Sequence, residues 1–188
     1  VNERDGFERM NNKNILITGM PGVGKTTLIR NLIARLEGVR LAGFFTQEIR
    51  EKGVRKGFEL VGLDGERSIL SHAGFKSRFR VSKYGVDVDG FEKFLDAQHF
   101  FIPGPDLVLI DEIGKMECFS EKFVNLVTAV LDAEIPLVAT ISQRGGGFIS
   151  EVKARKDVVL AELSLQNRKS LLADVLGQLQ SFLKQSAP

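Results

Sequence analysis

Gly19-Met20-Pro21-Gly22-Val23-Gly24-Lys25-Thr26 is the stretch on which the reading of this chain turns. It fits G-x-x-x-x-G-K-[ST], follows the apolar run Ile15-Leu16-Ile17 and opens a helical pattern, the context that a phosphate-binding loop requires. The glycines let the backbone wrap around phosphates with its N–H groups pointing inward, and the helix N-terminus adds partial positive charge. Lys25 is placed to reach the outer phosphates and Thr26 to hold magnesium. Gly19, Met20, Pro21, Gly22, Val23, Gly24, Lys25, Thr26 and Thr27 are therefore candidate nucleotide-binding residues. The motif speaks for a bound nucleoside triphosphate and leaves open what is done with it.

Beyond the loop, an ordinary mesh of elements is expected. Leu28, Leu32 and Leu36, with Ile29 and Ile33 beside them, mark an amphipathic helix ending near Gly38. Phe44 to Ile49 and Gly57 to Val61 read as a hairpin separated by the charged stretch Arg50 to Lys56, and Asp64-Gly65 turns the chain into a third short strand, Arg67 to Leu70. Ser82 to Val86 suits a short strand. The capping-box spacing of Asp89 and Glu92 opens a helix with Phe91, Phe94, Leu95 and Phe101 on one face, stopping before Pro103-Gly104-Pro105. Leu107 to Ile110 is an unbroken apolar run suited to a strand covered on both faces, and it ends in Asp111-Glu112. Ser120 caps a helix with Phe123, Val124, Val127, Val130 and Leu131 inward; Leu137 to Ser142 forms another buried strand, and a glycine-rich loop follows at Gln143 to Gly147. After a short helix and the strand Val158 to Leu163, Asn167 caps a final helix whose stripe is Leu171, Leu172, Val175, Leu176, Leu179, Phe182 and Leu183.

Composition sets the outer limits. At 188 residues the chain fits one domain, here placed at 14–188 behind a flexible N-terminal tail at 1–13. Its 26 basic and 24 acidic residues leave a formal charge of +2, which gives no push towards nucleic acid. The single cysteine, Cys118, excludes an internal disulfide and makes a reducing, cytoplasmic setting the simplest reading. No run approaches the 18 apolar residues of a membrane span, so no membrane partner is expected. The protein partners are unknown at this level.

The chemistry-bearing residues cluster in type around the loop. Asp111, delivered by a strand to the phosphate loop, is the expected second magnesium ligand with Thr26, and Glu112 is placed to polarise a water aimed at the γ-phosphate. If the strand at 137–142 lies between those of the loop and of Asp111, Thr140 and Ser142 present hydroxyls to the same place. Phosphoryl transfer also needs cations on the transferring group; Lys25, Lys115 and Arg144 are the candidates, Arg144 because three glycines beside it would let a lid close. Arg168 is placed to stack on the base. His72, His99 and Cys118 lack ligand spacing or a partnering motif, and Asn167-Arg168-Lys169-Ser170 lacks the aspartate of a guanine-reading N-K-x-D.

Taken together, Ile17 to Leu28, Gly43 to Arg50, Gly57 to Val61, Asp111 to Glu117 and Asn167-Arg168 resemble the nucleoside-triphosphatase family typified by thermophile enzymes and the human cancer-related nucleoside triphosphatase, over most of the chain. The resemblance implies an α/β, RecA-like P-loop NTPase with a mainly parallel sheet flanked by helices and an antiparallel hairpin insert after the first helix. It further implies magnesium-dependent hydrolysis of ATP, GTP and other triphosphates, with Glu112 activating water and Lys115 touching the γ-phosphate. A small-molecule or nucleotide kinase is the alternative, its acceptor covered by the β-rich insert and the Arg144 loop, and a nucleotide-gated binding module is a third.

Overall fold

Apolar runs without alternation occur where both faces of a strand are covered. In the computed structural model of the protein, which describes residues 12–101 and 104–185, Ile15 and Ile17 enter one core while Leu16 between them enters another. Leu107 and Leu109 likewise face one way, Val108 and Ile110 the other. The two cores lie on opposite faces of a single sheet.

In chain order the elements are β1 (Asn14–Thr18), α1 (Lys25–Ile33), β2 (Leu41–Glu51), β3 (Val54–Gly62), β4 (Arg67–His72), β5 (Arg80–Val81), β6 (Tyr84–Val86), α2 (Val88–Ala97), β7 (Leu107–Ile113), a 3-10 turn (Glu117–Phe119), α3 (Glu121–Asp132), β8 (Leu137–Ile141), α4 (Phe148–Lys153), β9 (Val158–Glu162) and α5 (Arg168–Gln185). The sheet runs β5-β6-β4-β3-β2-β7-β8-β1-β9. From β2 to β9 it is parallel, with Gly43 opposite Leu109, Ile110 opposite Ala139 and Leu16 opposite Ala139 on the other side. From β2 to β5 it is antiparallel. The strand β8, which ends at Ile141, thus lies between the loop strand and the Asp111 strand, as the sequence leads one to expect.

Helices α2, α3 and α4 cover the first core, around Phe44, Phe91, Phe94 and Phe123, whose rings meet at centroid distances of 5.4–6.2 Å. Helices α1 and α5 cover the second through Leu28, Leu32, Leu171, Val175 and Leu179.

Several expectations are corrected. Helix α1 ends at Ile33, because Arg35 and Leu36 donate to Leu32 and Ile33 three residues back and tighten the last turn. The charged stretch Arg50 to Lys56 is no separator: β2 and β3 run through it, and only Lys52 and Gly53, both at positive φ, turn the chain. The hairpin's first strand, β2, also pairs in parallel with β7 and so joins the insert to the parallel part of the sheet. Asp87, not Asp89, caps α2 by accepting from Gly90 N, and Phe100 enters the core where Phe101 was expected. Asn167 stands immediately before α5, where its carbonyl accepts from Leu171 N at 2.8 Å, while its Oδ1 accepts from Ser164 N and ties the β9–α5 loop to itself. Val124 is only half-buried. Of the tail, residues 1–11 lie outside the described residues, as does Pro103, while Asn12 and Lys13 donate to Lys156 O and Leu131 O.

Candidate active site

The parallel strands deliver their C-terminal ends to one edge, and the loop after β1 wraps there. Gly24, at φ 103, takes the left-handed conformation immediately before α1. No side chain caps that helix, so its first N–H groups remain available to an anion. Met20, Pro21, Gly22 and Thr27 face solvent while Val23 is buried as the loop's anchor. Lys25 Nζ folds back to donate to Gly19 O at 3.2 Å and stands 3.5 Å from Glu112 Oε2, with its side chain only 10% exposed.

At the end of β7, Asp111 is 1% exposed and collects hydroxyls from three elements. Thr26 of α1 donates to Oδ2 at 2.6 Å, Thr140 of β8 to Oδ1, and Thr46 of β2 to Oδ2 at 3.4 Å. Burial pushes its carboxyl above the usual range, the hydroxyls of Thr140 and Thr26 pull it back, and the charge of Glu112 raises it further. A buried carboxylate with a threonine hydroxyl at hydrogen-bond distance, at a loop built for phosphates, fits magnesium. That ion takes one or two protein oxygens and fills its remaining positions with phosphate and water. No cluster of three or more His, Cys, Asp or Glu residues occurs among the described residues, so an all-protein metal cage is not what this site offers.

Next to Asp111 in the chain, Glu112 accepts from Ser142 Oγ at Oε1, at 2.6 Å, and faces Lys25 with Oε2. Its side chain is 29% exposed and so reaches solvent. Behind it sits Glu117, on the 3-10 turn. A Cβ placed on Gly114 would stand 2.8 Å from Glu117 Oε2 and 3.1 Å from Glu112 Oε1, so both carboxylates close on one point. Burial, and then the charge of Glu112, push Glu117 up to about 8.

The remaining candidates do not converge in the same way. Lys115 and Arg144 are exposed, and neither has an ion pair or hydrogen bond among the described residues. Arg168 opens α5 and donates from Nε to Val23 O at 2.9 Å, its guanidinium within 3.7 Å of where a Cβ on Gly24 would stand. It therefore braces the outer side of the phosphate loop. Cys118 is half-buried, and its thiol is pushed to about 12 by burial and by Glu117, which leaves it protonated. His72 accepts from Gly74 N in a local turn. Sequence reasoning missed Thr46, Glu117 and Lys153. Thr46 carried one signal, a polar residue on the strand position two after Phe44 and hence on the same face.

The family model for NTPase matches residues 14–176. The nucleoside-triphosphatase THEP1 of Thermotoga sp. (strain RQ2) is 44% identical over 167 residues, covering 88% of this chain and 95% of that protein. The cancer-related nucleoside-triphosphatase of Homo sapiens is 37% identical, covering 92% and 99%. Among solved structures, the crystal structure of THEP1 from Aquifex aeolicus superposes with a TM-score of 0.78 at 37% identity, over 89% of this chain and 99% of that one. The solution structure of the human cancer-related nucleoside triphosphatase gives 0.73 at 36%, over 89% and 97%. With the family model matched over residues 14–176 and relatives 37–44% identical over nearly their whole lengths, this chain belongs to the NTPase family.

Proposed function

We propose that this chain hydrolyses nucleoside 5′-triphosphates, ATP and GTP among them, to the diphosphate and phosphate with magnesium. The observation that carries the reading is Glu112, held between the Ser142 hydroxyl and the Lys25 ammonium at the mouth of the phosphate loop. Gly19 to Thr27 bind the phosphates, Lys25 leaving Gly19 O and Glu112 for the outer ones. Thr26 and Asp111 hold magnesium, which when bound neutralises charge on the β- and γ-phosphates. Glu112, released from Lys25, takes a proton from a water as that water attacks in line. Ser142 fixes which Glu112 oxygen stays free for it. Lys115 and Arg144, both without an ion pair among the described residues, supply further positive charge during transfer, and Arg168, hydrogen-bonded to the loop at Val23 O, is read as the residue that stacks on the base. We read 14–188 as one domain acting in the cytoplasm, because one sheet runs through it and its lone cysteine stays a thiol.

Phosphate release from a panel of nucleotides, with magnesium and no acceptor, tests this reading. ATP and GTP are expected to yield phosphate, and Glu112→Gln to bind nucleotide as before while turning over at least ~100-fold more slowly, the scale of lost general-base help. Silence from the whole panel, with an added nucleoside phosphorylated instead, would make the chain a kinase.

A further inference from the structure

The glycine-rich loop after β8 starts from a fixed point. Ser142 N donates to Ile113 O of β7 at 3.1 Å, which ties the end of β8 to the strand that carries Asp111 and Glu112. On its other side, Lys153, the last residue of α4, donates from Nζ to both Ser142 O, at 2.5 Å, and Gln143 O, at 2.9 Å. Helix α4 is itself anchored, with Ile149 and Val152 3% and 2% exposed in the first core. Beyond Gln143 the chain passes through the exposed Arg144, Gly145, whose carbonyl accepts from Ser150 Oγ at 2.7 Å, and the exposed Gly146 before Gly147 turns into α4. The root of the loop is clamped while its crest faces solvent.

What the clamp holds is the residue that orients the water activator. Ser142 gives its backbone carbonyl to Lys153 and its hydroxyl to Glu112 Oε1. We infer that Lys153 is a positioning residue for hydrolysis: by fixing the Ser142–Gln143 turn it aims the Ser142 hydroxyl, and through it the Glu112 carboxylate. The inference rests on the hydrolytic reading of Glu112. An ammonium suits the task because it offers three donors and can hold two carbonyls at once. Partial burial lowers the pKa of the Lys153 ammonium, and the charge of Glu112 opposes that shift.

The test compares Lys153→Met, Lys153→Arg, Ser142→Ala, the Lys153→Met/Ser142→Ala double variant and Glu112→Gln in steady-state phosphate release, with a fluorescent nucleotide analogue to measure binding. Lys153→Met is expected to lose about 10-fold in kcat, within the range that misplacing a catalytic group costs. Its KM and analogue affinity should stay within about twofold, since Lys153 touches no phosphate. Lys153→Arg, which keeps two donors, should recover most of the loss. The double variant should be no slower than the slower single one, because both act through one contact; a general loosening of the fold would instead multiply the two losses. Should Lys153→Met fail to fold, Lys153→Gln takes its place. Wild-type kcat in Lys153→Met with Glu112→Gln inactive would overturn this inference alone, as would multiplicative losses or a fall in affinity that tracks kcat. Wild-type turnover in Glu112→Gln would overturn both readings.

Discussion

Three carboxylates, Asp111, Glu112 and Glu117, lie within seven residues and meet three different environments. Asp111 is buried but surrounded by hydroxyls, Glu112 is partly solvated beside an ammonium, and Glu117 is buried in a turn with carboxylates for neighbours. The last has a consequence for stability. Its folded value of about 8 stands above the ordinary 4.5, so the folded protein keeps a proton that the unfolded chain gives up. The stabilisation is complete below the unfolded value and is lost as pH rises towards the folded one, at a slope of about 1.4 kcal/mol per pH unit. Glu117→Gln keeps the shape and removes the ionisation. Urea unfolding at pH 5, 6.5 and 8 should therefore show wild type losing stability relative to the variant at each step. Parallel curves would mean that Glu117 is not the group that holds the proton.

At the scale of elements, what was legible in the sequence is what local physics decides. Glycine spacing gives the phosphate loop, and unbroken apolar runs give β1, β7 and β8, because each needs only its neighbours in the chain. The role of β2 was not legible, since nothing in Leu41 to Glu51 says that one edge meets β7 and the other β3. The partners of Thr46 and Lys153 were hidden for the same reason: strand pairing and helix docking bring them to Asp111 and Ser142 across 65 and 11 residues. The choice between Asp87 and Asp89 as the cap of α2 turned on backbone geometry that both sequences of four residues permit.

That β2–β7 pairing makes its own prediction. A Cβ on Gly43, at φ 124, would stand 1.8 Å from Leu109 O, so the two strands approach only because residue 43 has no side chain. Gly43→Ala must push β2 from β7 or twist it, and since the opposing atom is backbone it cannot step aside. A loss of about 2 kcal/mol or more in urea unfolding is expected, above the ordinary effect of a point substitution. The cap of α3 should cost less. Ser120 accepts from Phe123 N and donates to Glu92 Oε1 of α2, both at full burial of the serine. Ser120→Ala should lose about 1 kcal/mol by the same measurement, the usual worth of an N-cap. A loss from Ser120→Ala equal to that from Gly43→Ala would reverse this ranking of contacts.

Over the whole molecule, the phosphate loop is where separately folded parts meet. Its strand β1 lies between β8 and the edge strand β9, its helix α1 packs on the second core, α5 braces it through Arg168, and β7 and β8 face it with Asp111 and Thr140. A nucleotide seated there touches a site that the unfolded chain lacks, so binding adds directly to folding stability. At a ligand concentration near 100 times Kd the gain is about 2.7 kcal/mol, and for a chain of this length each kcal/mol moves Tm by roughly 2–4 °C. Calorimetry with magnesium and a non-hydrolysable triphosphate should thus raise Tm by roughly 5–10 °C. If Thr26 and Asp111 hold the ion beside the phosphates, chelating magnesium at constant nucleotide removes a contact made only in the folded state, and much of the shift should vanish. Lys25→Ala should lose it with or without the metal, because the ammonium reaches the phosphates themselves. A shift that survives chelation unchanged would separate nucleotide binding from the Thr26–Asp111 pair and leave those side chains a structural role at the junction of α1, β2, β7 and β8.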